Sequence, residues 1–435
     1  MNYVIIGNSA SAVAAIEGIR EYDKKGRITV ISDEPYFNYS RPLISYLLGK
    51  KVTVGKMAYR EKDFYHVNRI DLILDNKAAK LDFPPDADSP SAKKKKYVVL
   101  ADSQKIPFDK LLITAGGVPI MPEIKGVNLK GVFAFTKLTD TRRIEKYIKA
   151  NKTKKAVVLG GGLIGLKATE ALIELKIKVT IVELADRILS ATFDKKASGI
   201  IEGVLKKIGC KLIANNTITE INRKNKKVKE VVLKDKKRVP TDLVVVAIGV
   251  IPNIELAKNT SITTNKGILV NDYMETNVKD IYAAGDCCEA KDLLLEMNRP
   301  IAIWPVAVRQ GKIAGYNMAG IKKEYQGSFP MNSVELCGVP TISIGNSFTE
   351  NESYQVLDYF KPEKSVYRKF VFKEGRIIGA IFVGDIERAG IYTGLIKDKV
   401  DVTDFKESLL KEDFGLISLP GEYRKHLVTG EVAIL

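Results

Sequence analysis

Two strand-to-helix turns, one of them rich in glycine, carry the chemical signal in this chain. In the clearer one, the apolar run Ala156-Val157-Val158-Leu159 leads into Gly160-Gly161-Gly162-Leu163-Ile164-Gly165 and then into the helical Leu166-Lys167-Ala168-Thr169-Glu170-Ala171-Leu172. Gly160, Gly162 and Gly165 satisfy G-x-G-x-x-G between a strand and a helix. The three glycines play different parts. The first makes the tight turn, the second lets a pyrophosphate approach the backbone, and the third lets helix pack on strand. The phosphates then sit on the helix N-terminus, where unpaired N–H groups and the helix dipole favour anions. The next strand, Lys178 to Val182, ends at Glu183. A carboxylate there accepts hydrogen bonds from a ribose 2′-OH and repels a 2′-phosphate, which predicts NADH over NADPH, with Arg187 close enough in sequence to oppose the preference.

A less complete version opens the chain: Val4-Ile5-Ile6, then Gly7-Asn8-Ser9-Ala10-Ser11-Ala12, a helix through about Glu21, and a strand Ile28 to Ile31. Ser9 and Ala12 stand where the second and third glycines belong. Both are small enough for phosphate approach, and the Ser9 hydroxyl is a donor. The acidic ribose ligand is Glu34 or its neighbour Asp33. Taken alone, this segment also fits an ordinary strand–helix turn. Three further segments change that balance. Thr114-Ala115-Gly116 and Ala247-Ile248-Gly249 each end an apolar run, one in each half, and Gly285-Asp286 places a carboxylate just after Ile281-Tyr282-Ala283, where it can hold a polyol hydroxyl.

These residues need a scaffold of parallel sheets. The chain has 435 residues and 45% hydrophobic content, enough for several cores and for two or three domains. Short β-branched runs alternate with helical stretches, which predicts an α/β architecture. One unit begins at Met1, and a second begins near Lys154 after a basic helical connector, Thr139 to Ala150. From about Phe329 the texture turns to alternating strands, with a hairpin made of Tyr367 to Phe372, a Lys373-Glu374-Gly375-Arg376 turn and Ile377 to Val383. From Lys397 the chain is charged and helical at first, then ends in a mixed tail whose place the pattern does not give. The fold class predicted is α/β, with two Rossmann-like dinucleotide-binding domains and a C-terminal α+β domain. The boundaries are 1–118 with 250–326, then 119–249, then 327–435.

Composition excludes several other classes. No stretch offers 18 uninterrupted apolar residues, and Met1 runs straight into a strand without a basic lead, so the expected location is cytoplasmic with no membrane attachment. Cys210, Cys287, Cys288 and Cys337 make no C-x-x-C pair, and only His66 and His426 add imidazoles, so no metal site is expected. Cys287-Cys288 is either a strained vicinal disulfide or, the preferred reading, a pair of inert buried thiols. The formal charge of +17 either steers an acidic partner or reflects a Lys-rich composition. Lys93 to Lys96 belongs to an exposed hairpin loop, and no nucleic-acid-binding pattern accompanies the charge, so nucleic acid is not an expected partner.

With these motifs together, the chain resembles the FAD-dependent pyridine nucleotide–disulfide oxidoreductase superfamily over about residues 1 to 385. The resemblance implies FAD on Gly7, Ser9, Ala12, Glu34 or Asp33, Arg41 and Pro42, with Asp286 on the ribitol and the helix from Trp304 beside the flavin. Thr114, Ala115, Gly116, Gly249 and Gly285 complete the cofactor-binding set. NAD(H) falls on Gly160, Gly162, Gly165 and Glu183.

Disulfide reductases of the superfamily carry redox cysteines after the FAD ribose site. Here the segment is Tyr39-Ser40-Arg41-Pro42-Leu43, with no cysteine before Cys210. A thiol mechanism is therefore hard to build on that face. The Tyr-x-Arg-Pro element is similar to the branch of NADH:rubredoxin reductases, oxygenase-type ferredoxin reductases, the flavin part of nitrite reductases, and flavoproteins paired with carbon monoxide dehydrogenases in anaerobes. In that branch flavin N5 takes a hydride and electrons leave singly to an iron–sulfur protein, so no catalytic side chain is assigned. Lys167 replaces a glutamate found near the nicotinamide in many relatives. It either adjusts charge around the flavin or snorkels to solvent, while Glu170 is expected on the helix surface. The implied function is an NADH-linked electron transferase with an acidic ferredoxin or rubredoxin as carrier. An NADH oxidase and a nucleotide-binding subunit of a larger complex are the alternatives, and the third domain is a candidate dimer or docking interface.

Overall fold

The computed structural model describes residues 1–84, 95–225, 227–347, 354–421 and 424. The loop around Lys93, residue His426 and the C-terminal tail lie outside the described residues. The chain forms two compact units, one made of Met1–Asp186 with Gly209–Ser328, the other of Arg187–Ile208 with the residues from Phe329 onward.

In chain order, the first unit's main elements are β1 (Asn2–Ile6), α1 (Ala10–Tyr22), β2 (Arg27–Ile31), α2 (Ile44–Leu48), β3 (Ile70–Ile73), β4 (Lys110–Ile113), β5 (Val132–Ala134), α3 (Leu138–Asn151), β6 (Lys155–Leu159), α4 (Leu163–Glu174) and β7 (Lys178–Val182). After the excursion into the second unit, which contains α5 (Lys195–Lys207), come β8 (Lys211–Ile213), β9 (Leu243–Val246), β10 (Ile281–Ala283) and α6 (Trp304–Met318). Two five-stranded sheets result, ordered β10-β4-β1-β2-β3 and β8-β7-β6-β9-β5, and every pairing in them is parallel. Parallel strands covered on both faces should be apolar throughout. Accordingly β1 and β6, Asn-Tyr-Val-Ile-Ile and Lys-Ala-Val-Val-Leu, bury every residue after the first.

The two sheets repeat one plan, with β1, β2 and β4 of the first answering to β6, β7 and β9 of the second. A short ribbon joins them, Gly117–Pro119 running antiparallel to Val250–Pro252. In the first sheet's layer, α1 and α6 touch backbone to backbone. A Cβ on Gly311 would stand 2.1 Å from the Ser11 carbonyl oxygen, and one on Gly315 would stand 2.4 Å from that of Ala15. Only glycine permits that approach.

The second unit is an antiparallel sheet of β11 (Met331–Leu336), β12 (Val339–Gly345), β13 (Gln355–Lys361), β14 (Val366–Lys373) and β15 (Arg376–Val383), ordered β11-β12-β15-β14-β13, with α5 and α7 (Ala389–Lys397) against it. The hairpin predicted from the sequence is β14–β15. Its two loop residues, Glu374 and Gly375, have φ of 52° and 72°. Both signs are those of a type I′ turn, whose twist matches the flanking strands. Phe370, Phe382, Tyr392 and Phe414 pack ring on ring beneath the sheet.

Sequence pattern places Arg187–Ile208 inside the 119–249 domain, whereas here it packs with the C-terminal sheet. Asp194 explains why. Its carboxylate caps α5 by accepting the Ala197 N–H (3.1 Å), and it also takes the Tyr367 hydroxyl (2.7 Å) and pairs with Lys369 (3.1 Å). These partners lie far along the chain, so no local pattern announces them.

Candidate functional site

The site grows out of two turns with the same hydrogen-bond plan. Gly7 donates its N–H to Ile31 O at 2.8 Å, and Gly160 donates its N–H to Val182 O at 2.8 Å. Thr114 N–H meets Ile6 O and Ala247 N–H meets Leu159 O, both again at 2.8 Å. Both turns depend on a left-handed glycine: φ is 111° at Gly7 and 107° at Gly160, and a Cβ would lie 2.2 Å from Thr114 O or 2.3 Å from Ala247 O. Gly165 has no room either, since its Cβ would meet Gly160 O at 2.0 Å. At Gly162 the opposite holds. A Cβ there meets nothing within 4 Å, so the space ahead of the turn and of the α4 N-terminus is open, as the approach of a pyrophosphate requires. Ser9 takes the corresponding N-cap place before α1, and its side chain makes no capping bond; Ala12 is fully buried.

Glu183 lies at the head of the second turn. One carboxylate oxygen accepts the Gly161 N–H at 2.5 Å and the other the Ala185 N–H at 2.8 Å. Its backbone bonds identify its counterpart in the first unit: Glu183 N–H to Ile213 O and Asn216 N–H to Glu183 O repeat as Ser32 N–H to Ile73 O and Asn76 N–H to Ser32 O. The Ser32 hydroxyl even accepts the Glu34 N–H (3.2 Å), as Glu183 accepts that of Ala185.

Ser32 therefore follows the strand directly, with Asp33 and Glu34 one and two residues beyond it. Glu34 is buried and already engaged by Tyr39 and Thr139, and Asp33 pairs with Lys137 at 2.7 Å.

Asp286 follows β10 at the turn that Gly285 makes. Gln310, buried in α6, fixes that turn by accepting the Gly285 N–H at 2.8 Å. Among the described residues no other residue hydrogen-bonds to the Asp286 carboxylate. Burial pushes its pKa above the ordinary 3.8, and the Arg41 guanidinium draws it back down. Arg41 and Pro42 form a short 3-10 turn before α2. Trp304 opens α6 and meets the Tyr59 ring edge-on at 4.9 Å, while the Arg60 guanidinium lies over that same tyrosine ring at 4.2 Å. Ala115 and Gly116 lie where the ribbon begins, bonded through their carbonyls to Asn253, and Gly249 O accepts the Ile120 N–H (3.0 Å) at the facing strand.

Lys167 does not snorkel to solvent. It pairs with Glu170, its ammonium stands 4.7 Å from the centre of the Tyr46 ring, and both charged side chains are half-buried at 17% exposed. Cys287 and Cys288 are free and buried. Burial pushes the Cys287 thiol up to about 11 and Cys288 well above its ordinary value, so neither is a thiolate near neutrality.

Residues 1–311 match the family description "Pyridine nucleotide-disulphide oxidoreductase". The chain belongs to this family. Residues 330–400 match a second description, "Rubredoxin NAD+ reductase C-terminal domain". The chain is 31% identical over 405 residues to "Nitrite reductase [NAD(P)H]" of Bacillus subtilis, covering 92% of this chain but 48% of that protein, about half its length. It is 30% identical over 407 residues to "NADH-dependent phenylglyoxylate dehydrogenase subunit epsilon" of Aromatoleum evansii, covering 93% of each. It is 28% identical over 359 residues to "NADH-rubredoxin oxidoreductase" of Clostridium acetobutylicum, covering 82% of this chain and 85% of that one.

Family membership carries FAD and a nicotinamide dinucleotide, and the residues fit both. The open space at Gly162 suits one pyrophosphate, the matching turn at Gly7 suits another, and the half-buried Asp286 carboxylate, which takes no hydrogen bond from another of the described residues, suits a ribitol hydroxyl. Among the described residues no helix is long and apolar enough to cross a membrane.

Proposed function

We propose that this protein is a FAD-dependent NADH oxidoreductase that exchanges electrons with a small acidic iron–sulfur carrier of the ferredoxin or rubredoxin type. The carrying observation is the pair of matching dinucleotide turns in one unit, beside a flavin-side segment, Tyr39 to Leu43, that contains no cysteine. FAD, when bound, supplies a hydride acceptor and single-electron release. The chain supplies the rest. Residues 1–118 with 250–326 hold FAD through Gly7, Ser9, Ala12, Ser32, Arg41, Pro42, Thr114, Gly285 and Asp286. Residues 119–249 hold NADH through Gly160, Gly162, Gly165 and Glu183, with Gly116 and Gly249 at the ribbon between. The 327–435 region serves docking or dimer contacts.

NADH is preferred over NADPH because Glu183 presents a carboxylate to the ribose, where a 2′-phosphate would be repelled. The likeness to a relative named NADH-rubredoxin oxidoreductase supports the carrier class, and the charge of +17 supports an acidic one. A second reading, a flavoprotein subunit docked in a larger complex, is favoured by the full-length likeness to a relative named as a subunit. Anaerobic mixing separates the two. NADH should bleach the bound flavin, added oxidised rubredoxin or ferredoxin should restore its colour, and the second rate should fall with ionic strength. Flavin that NADH cannot bleach sinks the oxidoreductase reading.

A further inference from the structure

Glu34, a candidate ribose ligand in the sequence, belongs to a buried network of side-chain contacts. Glu34 is 6% exposed. One oxygen accepts both the N–H (3.2 Å) and the hydroxyl (3.0 Å) of Thr139, at the start of α3. The other accepts the Tyr39 hydroxyl at 2.8 Å and lies 3.9 Å from the Arg41 guanidinium. The Tyr39 oxygen in turn accepts the Leu138 N–H at 3.0 Å.

The first turn of a helix leaves N–H groups without intrahelical partners. In α3 those of Leu138 and Thr139 are satisfied from the flavin-side segment, while Asp140 serves Thr136 and Lys137 closer to home. Helix α3 then runs directly into β6 and the Gly160 turn. At the other end of the same segment, Lys50 and Lys51, just past α2, pair with Glu145 of α3 and Glu174 of α4. Those two pairs are partly exposed and contribute little. The Glu34 network is buried, so the coupling is concentrated there.

We propose that Glu34 is a positioning residue: it holds Arg41 toward the flavin and ties that arginine to the N-terminus of α3, so that occupancy of the NADH turn and retention of FAD are coupled. This rests on the FAD and NADH reading above. Arg41 also acts on Asp286, so one cation answers to both the α3 anchor and the ribitol carboxylate.

The test uses holoprotein. FAD release is followed by the rise of free-flavin fluorescence, with and without saturating NAD+. In the parent, NAD+ slows release severalfold. Glu34→Gln keeps the volume but cannot accept from every donor and deprives Arg41 of the nearer of its two anions, so release without NAD+ quickens about tenfold, the size of one lost hydrogen bond to the carboxylate. Thr139→Val cuts the network only on the α3 side. Its basal release stays near the parent's, but protection by NAD+ is lost. A merely structural capping role would lower thermal stability and leave the NAD+ protection ratio untouched. Should Glu34→Gln fail to fold, Tyr39→Phe removes the bridge to Leu138 and carries the same expectation for that ratio.

Parent-like protection in Thr139→Val and in the Glu34 or Tyr39 variant overturns the inference, as does a parent in which NAD+ gives no protection. A parent that carries no flavin at all overturns the FAD reading itself, which is a distinct result.

Discussion

Glu183 is the residue at which the nicotinamide assignment can be put in numbers. Its carboxylate holds Gly161 N–H at 2.5 Å and Ala185 N–H at 2.8 Å, which fixes it at the head of the turn proposed to take the adenosine ribose of NADH. A hydrogen bond to a charged group contributes about 1.5 to 3 kcal/mol. Removing it in Glu183→Ala should therefore lower kcat/KM for NADH roughly ten- to a hundredfold, at about 1.4 kcal/mol per factor of ten.

The effect belongs in KM, since the ribose is bound equally in ground and transition states. NADPH should respond in the opposite direction. A phosphate charge about 4 Å from a carboxylate is repelled by about 1 kcal/mol in water and about 4 kcal/mol at an effective dielectric of about 20, and the substitution removes that repulsion. Glu183→Gln separates charge from shape. It should relieve NADPH nearly as well while keeping the packing.

Steady-state rates with both nucleotides and a dye acceptor, taken anaerobically alongside thermal unfolding, measure all of this. If kcat/KM for NADH in both variants stays within about twofold of the parent, smaller than any charged hydrogen bond explains, the ribose assignment is wrong.

Asp286→Asn should separate stability from cofactor retention. Burial raises the folded-state pKa of Asp286 above its ordinary 3.8, so the ionised side chain is penalised in the folded FAD-free protein above that pH and not below it. The variant should melt higher than the parent near neutrality, converge with it below the ordinary value, and release FAD faster; an unchanged FAD release rate would remove Asp286 from the site. Gly165→Ala forces a methyl 2.0 Å from Gly160 O and should cost about 1 to 3 kcal/mol through overpacking while abolishing NADH-driven bleaching, with FAD still bound. Thiol alkylation of the native holoprotein should label the partly exposed Cys337 first and leave turnover intact, because Cys287 and Cys288 are buried and protonated. Activity lost in step with labelling of Cys287 or Cys288 would reopen a thiol mechanism.

What the sequence disclosed was local. Strand β6, its glycine turn, α4 and Glu183 lie in one continuous stretch, and each contact that matters among them is short in sequence. The first turn was legible too, with its following strand ending at Ile31. Which residue follows β2 is decided by the bond from Gly7 to Ile31, and that bond puts Ser32 there, with Glu34 two residues beyond. Glu34 finds its partners at Thr139, and Asp194 finds its own at Tyr367 and Lys369. Neither destination leaves a trace in periodicity. The Gly311 and Gly315 pair is a signal that spacing could have revealed, since two glycines one helical turn apart mark a close approach, here of α6 to α1. Gln310, which fixes the Asp286 turn, sits beside them.

The central claim is that NADH electrons leave through flavin to a one-electron carrier, with no thiol between. Stopped-flow mixing of NADH-reduced holoprotein with oxidised rubredoxin or ferredoxin, under anaerobic conditions and after all accessible thiols have been alkylated, tests it most directly. Flavin reoxidation should match carrier reduction with two carriers reduced per NADH, as the flavin's two-electron to one-electron role requires. Reduced flavin that persists with every such carrier, yet is reoxidised quickly by a disulfide or by dioxygen, would contradict it.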